Sequence, residues 1–385
     1  MRCPTCHTSA LFDFFEVDRV PVLCNELLPT RDEALGAATA VIRLGCCPAC
    51  GMVFNVAFDE GRIDYSQAYE NSLHFSERFQ DYARRLAESL IERHDLRNRE
   101  VLEIGCGKGE FLQMICELGN NRGTGIDASF EGELERDRIR VIREPFSKIH
   151  RDLSADLVCC RHVLEHIPAP RPFLEQVRTV AAARAGTGVF FEVPNGLWTL
   201  RDLGIWDVIY EHCSYFTAPA LERLFREAGF EVRETAEAFG GQFLCLHASA
   251  GAAGTVPDGG QDPRVTEVAA LARELGRHHL ERTEAWNERL RGWLASERRI
   301  AIWGAGSKGV TFLNTLEAGS GISCAVDINP RKHGRFVPGT GQEVVPPERV
   351  AESGVDVVLV MNPLYADEIR ASLASLGCRP AVEVI

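Results

Sequence analysis

The feature that most constrains this chain is the run Val101-Leu-Glu-Ile-Gly105-Cys-Gly107-Lys-Gly109-Glu-Phe-Leu. It is an apolar strand, a glycine turn and the start of a helix. Glycine tolerates positive φ and lets the backbone come close to a ligand. The GxGxG spacing differs from the GxGxxG fingerprint of dinucleotide sites. Downstream, Gly123-Thr-Gly-Ile-Asp127 reads as a second strand ending in an acid, able to take both hydroxyls of a ribose. Ile139 to Glu144, Asp156 to Cys160 and Gly188 to Val193 follow as strands three to five. Strands alternating with helices predict an α/β, doubly wound domain. The pattern alone leaves open which nucleotide it holds.

The 385 residues suit two to four domains. Residues 1–57 form a small cysteine-rich unit. Residues 58–98 form a helical connector with an apolar face through Phe75, Phe79, Tyr82, Leu86 and Leu90. Residues 99–250 hold the strand–helix alternation. Residues 251–298 contain a Gly/Ala/Pro-rich linker and a long helix from Arg264 to about Glu297. A second alternation fills 299–385.

In the first unit, Cys3-x2-Cys6 and Cys47-x2-Cys50 are separated by 40 residues. Each pair can occupy two corners of a tetrahedron, and four thiolates leave no position for water or substrate, so one zinc here would be structural. Cys46 and His7 are neighbouring substitutes. No basic recognition helix follows, which argues against a DNA-binding finger. Lys plus Arg is 42 and Asp plus Glu is 55, a net charge of −13. That excludes general nucleic-acid or anionic-membrane binding, but not a local site for a phosphorylated small molecule. No apolar run reaches the ~18–20 residues of a transmembrane helix, and the N-terminus lacks a signal-peptide core. Several of the 14 cysteines, such as Cys159, Cys160 and Cys245, sit in apolar strands. That favours a reducing, cytoplasmic setting.

Residues 99–250 resemble the class I S-adenosylmethionine-dependent methyltransferases, a seven-stranded Rossmann-like fold. The resemblance implies S-adenosylmethionine as cofactor. Glu103, Gly105 and Gly107 would line its methionine part, Asp127 its ribose, and Glu144 to Phe146 its adenine, with Arg161 beside them.

The acceptor side is carried by Arg161-His162-Val-Leu-Glu165-His166 after strand four and by Tyr210-Glu211-His212-Cys-Ser-Tyr215-Phe216 after strand five. Ligands of a parallel α/β sheet sit beyond the carboxyl ends of its strands. Histidine suits proton removal near neutral pH. Further on, Gly304-Ala-Gly306-Ser-Lys308-Gly309 with Asp327 matches the dinucleotide fingerprint, yet the remaining chain is half a full dinucleotide domain.

Together these pieces resemble the sugar-nucleotide C-methyltransferase family over essentially the whole chain. The resemblance implies methylation of a ring carbon beside a keto group in a nucleoside-diphosphate deoxysugar. It makes His212 the base with Glu211 beside it, and gives His166, Tyr210 and Tyr69 acceptor-side roles. It makes residues 299–385 an acceptor-binding, Rossmann-like domain. The family tyrosine position three before the histidine is Ile209 here. O- or N-methylation of a sugar nucleotide or other metabolite is the alternative. A monomer or small homo-oligomer is expected.

Overall fold

The computed structural model describes residues 2–63, 70, 72–251 and 262–385. Phe12–Pro21 (β1) pairs antiparallel with Thr39–Cys46 (β2), and β2 with Val53–Asn55 (β3). A capping box at Thr30 and Glu33 starts the short helix Arg31–Leu35 (α1) between the first two strands. The fourth strand of this sheet, Ser214–Tyr215, comes from far along the chain. The cysteine-rich unit is therefore completed by residues well beyond 57.

Glu77–His94 (α2) begins at Ser76, whose hydroxyl accepts from the Phe79 amide. It buries Phe79, Ala83, Ala87, Leu90 and Ile91, a helical period. Phe75 precedes the helix and lies outside that face.

The central unit runs Glu100–Ile104 (β4), Glu110–Gly119 (α3), Arg122–Ile126 (β5), Glu135–Arg136 (β6), Ile139–Ile142 (β7) and Leu157–Arg161 (β8). Pro170–Ala182 (α4), Gly188–Pro194 (β9), Gly196–Arg201 (α5), the shared Ser214–Tyr215 (β10), Ala218–Glu227 (α6), Phe230–Ala238 (β11) and Phe243–Ala250 (β12) follow. The sheet order is β11-β12-β9-β8-β4-β5-β7-β6. It has eight strands rather than the expected seven, because the two-residue β6 folds back antiparallel on β7. Strands β4, β5, β7, β8 and β9 are parallel, and β12 runs against β9. The strand order reverses between β4 and β8, so the loops after Ile104 and Arg161 flank the crevice where such sheets bind ligands.

Asp262 caps the 33-residue helix Pro263–Ala295 (α7). The last unit contains Ile300–Trp303 (β13), Ser307–Thr315 (α8), Cys324–Val326 (β14), Val344–Val345 (β15), Glu348–Glu352 (α9), Val357–Val360 (β16), Ala366–Ser375 (α10) and Ala381–Val384 (β17). Its sheet, β15-β14-β13-β16-β17, is parallel throughout, with its own reversal between β13 and β16.

The units share cores. One cluster joins Val20, Trp206, Tyr210, Leu275, Ile302 and Phe312, from the first sheet, the segment after α5, α7 and the last unit. A second joins Cys3, Cys47 and Cys50 to Val158, Phe191 and Phe216 of the central unit. Among the described residues, no helix is long and apolar enough to cross a membrane.

Candidate active site

A cleft of about 1810 Å³ lies between the carboxyl edges of the central and last sheets. Small-molecule sites usually occupy ~300–1,000 Å³, so this one has room for two ligands. Gly105 and Gly107, which line it, take positive φ (71° and 55°), as does Gly109 further along the same loop (82°). A Cβ on Gly105 would lie 2.1 Å from Val163 Cγ2, whereas one on Gly107 would meet nothing within 4 Å. The first glycine is required for packing. The second leaves an open cradle at the N-terminus of α3. Asp127 braces this loop: its Oδ2 accepts from the Gly107 amide at 2.8 Å, and its Oδ1 from Ser129.

Glu103 is buried on the cleft wall, and its Oε2 has no hydrogen-bond partner. Burial pushes its carboxyl up to about 8. Such an orphan is expected where a cationic ligand group completes the site. The open cradle and this carboxyl together fit the methionine end of S-adenosylmethionine. Phe146 lines the cleft, stacks on His150 at 5.7 Å and meets Phe173 edge-on. Glu144 lies exposed beside it.

Arg161 differs from expectation. It lines the cleft, but its guanidinium bonds Glu192 through Nε and an Nη at 3.1 and 2.8 Å and lies 4.1 Å over the Phe111 ring. It neutralises a buried carboxylate rather than standing free for a ligand. Glu192 also accepts from the Tyr82 hydroxyl and faces His162 Nε2 at 2.9 Å. Burial works against the His162 charge, but Glu165 and Glu192 outweigh it and raise the imidazole to about 9. His162 is thus a fixed cation and an unsuitable base.

His212 and His166 meet edge-on in the cleft, ring centroids 4.9 Å apart. His166 Nδ1 donates to the Glu211 carbonyl at 3.0 Å. Two expected neighbours turn away. The Glu211 carboxylate is fully buried and accepts from the Cys24 amide of the first unit. Tyr210 is 1% exposed, and its hydroxyl accepts from the Asp59 amide at 2.9 Å and donates to the Asp59 carbonyl. Neither side chain lines the cleft. The reason is register: His212, between them and β10, points inward, and its predecessors pack into the shared core. Ile209 does line the cleft, and Tyr215 clasps its backbone through N–H and C=O at 3.0 and 2.9 Å. Tyr69 lies outside the described residues.

Sequence reading gives no role to Glu192 or Tyr82, and it places Glu165 with the two histidines beyond β8 without a role of its own. Glu165 had a signal, standing between two histidines beyond a parallel strand. Tyr82 had none, because its partner is 110 residues away.

In the last unit, Asp327 is internally committed. It accepts from the Ala305 and Asn329 amides and ion-pairs with buried Lys332 at 3.2 Å. The acid that would take a dinucleotide ribose is already neutralised. Gly309 is a packing glycine, since its Cβ would fall 2.0 Å from the Gly304 carbonyl oxygen. Lys308 reaches across to Asp207 of the central unit at 2.8 Å.

Away from the cleft, the sulfurs of Cys3, Cys6, Cys47 and Cys50 lie within 4.8 Å of one another. Cys3–Cys50 and Cys6–Cys47 are 3.6 and 3.5 Å apart. A tetrahedron with Zn–S bonds of about 2.3 Å has edges of about 3.8 Å, so the donor set fits zinc. Gly51 closes the second turn at φ 75°. Neither Cys46 nor His7 joins the cluster.

Residues 74–235 match the family described as "Methyltransferase domain", and residues 264–379 match "C-methyltransferase C-terminal domain". The C-methyltransferase NovU of Streptomyces niveus is 27% identical, covering 96% of this chain and 91% of that protein. A ubiquinone biosynthesis O-methyltransferase of Saccharophagus degradans is 31% identical, over 28% of this chain and 49% of its own length. The solved 1,6-didemethyltoxoflavin-N1-methyltransferase of Burkholderia thailandensis covers 52% of this chain at 18% identity, with a TM-score of 0.34.

Proposed function

Because the chain belongs to the S-adenosylmethionine-dependent C-methyltransferases, we propose that its acceptor is a keto-deoxysugar carried on a nucleoside diphosphate, methylated at the carbon beside the ketone. One observation carries this reading. The donor loop, a histidine pair and the glycine turn of a second Rossmann-like sheet face a single cleft. A small planar acceptor needs no second sheet. A sugar with a nucleotide tail needs a long cleft and a surface for that tail. The net charge of −13 is no obstacle, because the N-terminus of α8 offers local positive potential.

In this reading Glu103, Gly105 and Gly107 hold the methionine end, Asp127 the ribose, and Glu144 and Phe146 border the adenine. When bound, S-adenosylmethionine supplies an electrophilic methyl group. His212 removes the proton α to the ketone. His166, held by its Nδ1–H on the Glu211 carbonyl, lies edge-on to His212 and is placed to hydrogen-bond the developing enolate oxygen. The cleft holds acceptor carbon and methyl group in line, which removes much of the entropic barrier. A zinc ion on the four cysteines is a framework element. The expected unit boundaries stand as part of this proposal.

The test is deuterium wash-in followed by mass spectrometry. Purified protein is mixed with a panel of nucleoside-diphosphate 4-keto-6-deoxyhexoses in deuterated water, with and without S-adenosylmethionine. Wash-in without donor and one added methyl with it are expected. Methyl gain without wash-in would point to a heteroatom acceptor. Neither signal, with donor binding confirmed by calorimetry, would end the sugar reading.

A further inference from the structure

We propose that Glu165, not Glu211, is the positioning carboxylate that orients His212 and balances the charge it acquires on taking the acceptor's proton. This rests on the reading of His212 as base.

Glu165 sits in the 3-10 turn Leu164–His166 after β8, only 1% exposed, on the cleft wall. One of its carboxylate oxygens, one ring nitrogen of His166 and one of His212 lie within 4.8 Å of one another. Its Oε2 has no hydrogen-bond partner. Its carbonyl accepts from the Cys213 thiol at 3.2 Å, which ties this turn to the loop carrying His212. Glu211, adjacent in sequence, has its carboxylate on the Cys24 amide, outside the cleft.

A buried carboxylate is costly unless paired. His162 Nδ1, 3.7 Å away, supplies one compensating charge. The imidazolium formed on His212 would supply the next. Among the described residues, the titratable groups facing this point are Cys160 at the end of β8, His162 and His166 on its own loop, and His212 and Cys213 opposite. Tyr215 lies 6.0 Å from His212, and Glu192 stands beyond His162. Burial lowers the His212 imidazole to about 3, helped by His166, while Glu165 acts in the opposite sense. Burial would raise Glu165, but the charged His162 beside it outweighs that, holds it below the usual carboxylate range and keeps it ionised at neutral pH. Without it, the imidazolium would form among histidines alone.

The C–H bond breaks, the proton goes to a His212 nitrogen, and the electron pair becomes the enolate. The enolate carbon would then form the new bond to the methyl group as the sulfonium C–S bond breaks, its electron pair staying on sulfur to leave a neutral thioether. His212 returns its proton to solvent. Glu165 takes no proton; it compensates charge, as the acid of a serine-protease triad does.

The experiment measures deuterium wash-in without donor and kcat with it, for wild type, Glu165→Gln, Glu165→Asp, Glu211→Gln, His212→Asn and the Glu165→Gln/His212→Asn double variant. The same sugar-nucleotide panel is used, over about pH 3–9, because burial holds the His212 imidazole at about 3. Glu165→Gln should slow wash-in and kcat by about 100-fold, with both KM values within about threefold. The acid limb of its kcat profile should move to lower pH, because removing the carboxylate weakens the base. Glu165→Asp should recover part of the loss. The double variant should be no slower than His212→Asn, as expected for residues acting as a unit. A dead His212→Asn beside a normal, unshifted Glu165→Gln overturns this inference alone. So do additive losses accompanied by a raised KM and lower melting temperature, which mark a structural role. Wild-type wash-in in His212→Asn overturns the base assignment and this inference with it. A wild type that binds donor but exchanges no sugar overturns both through the acceptor class.

Discussion

His162 stands at φ 54°, a conformation costly for a side-chain-bearing residue, and places its ring between two buried carboxylates. Its charge has a consequence for stability. The folded-state imidazole is raised from 6.5 to about 9, so the stability it contributes is complete below about pH 6.5 and is lost as pH rises through 9. Wild type should lose up to about 3 kcal/mol between those limits. His162→Gln should begin lower at neutral pH and lack that part of the slope. Denaturant titrations at stepped pH check this; parallel slopes in both proteins would remove the charge from His162. A sequence reading could place His162 beyond a strand end. It could not show that Glu192, 30 positions on, would hold the ring charged.

The segment from α5 to β10 behaves as one element held from outside. Tyr210 binds the Asp59 backbone, Glu211 binds the Cys24 amide, and Ser214–Tyr215 pairs with β3. Two of these anchors, Cys24 and β3, lie in the cysteine-rich unit, and Asp59 follows it directly. A zinc ion on the four cysteines would therefore act on the proposed base at a distance, by holding the sheet from which His212 hangs. Stripping the metal with a strong chelator, or Cys50→Ser, should lower the melting temperature and reduce kcat by about tenfold or more through misplacement of the base. S-adenosylmethionine affinity should change by less than about threefold, because the Gly105–Asp127 loop makes none of these contacts. Calorimetry and thermal melts on the same samples separate the two effects. Equal loss of donor binding would mean that the metal supports the whole central sheet. The paired CxxC spacing made the sulfur cluster readable; its link to Glu211 spans 187 residues and was not.

At the scale of the molecule, two parallel sheets turn their switch points toward one cleft, and α7 with the shared core holds them there. Lys308–Asp207 and the reciprocal amide pair Gln242–Asn362 bridge the two sides. The glycine fingerprint of the last unit invites a nicotinamide reading, but the Asp327–Lys332 pair already fills that role internally. Lys332→Met should leave Asp327 buried and uncompensated, at a cost of about 3–5 kcal/mol in unfolding free energy. Wild type should show no quenching of its tryptophans or shift in melting on titration with NADH. Saturable NADH binding would give the last unit a nicotinamide site after all.

The sequence by itself determined the strand–glycine–helix units, the acid after the second strand, the cysteine pairs and the long capped helix. Each is a local pattern, decided by backbone sterics, side-chain period or ligand spacing over a short run of chain. Tertiary structure alone decided which member of Tyr210-Glu211-His212 faces the cleft. It also turned Arg161 inward to Glu192 and brought Glu165 beside the histidine pair. Those outcomes depend on buried charge. The free energy of a buried charge is set by partners that the chain brings together from distant positions, and no local pattern encodes them.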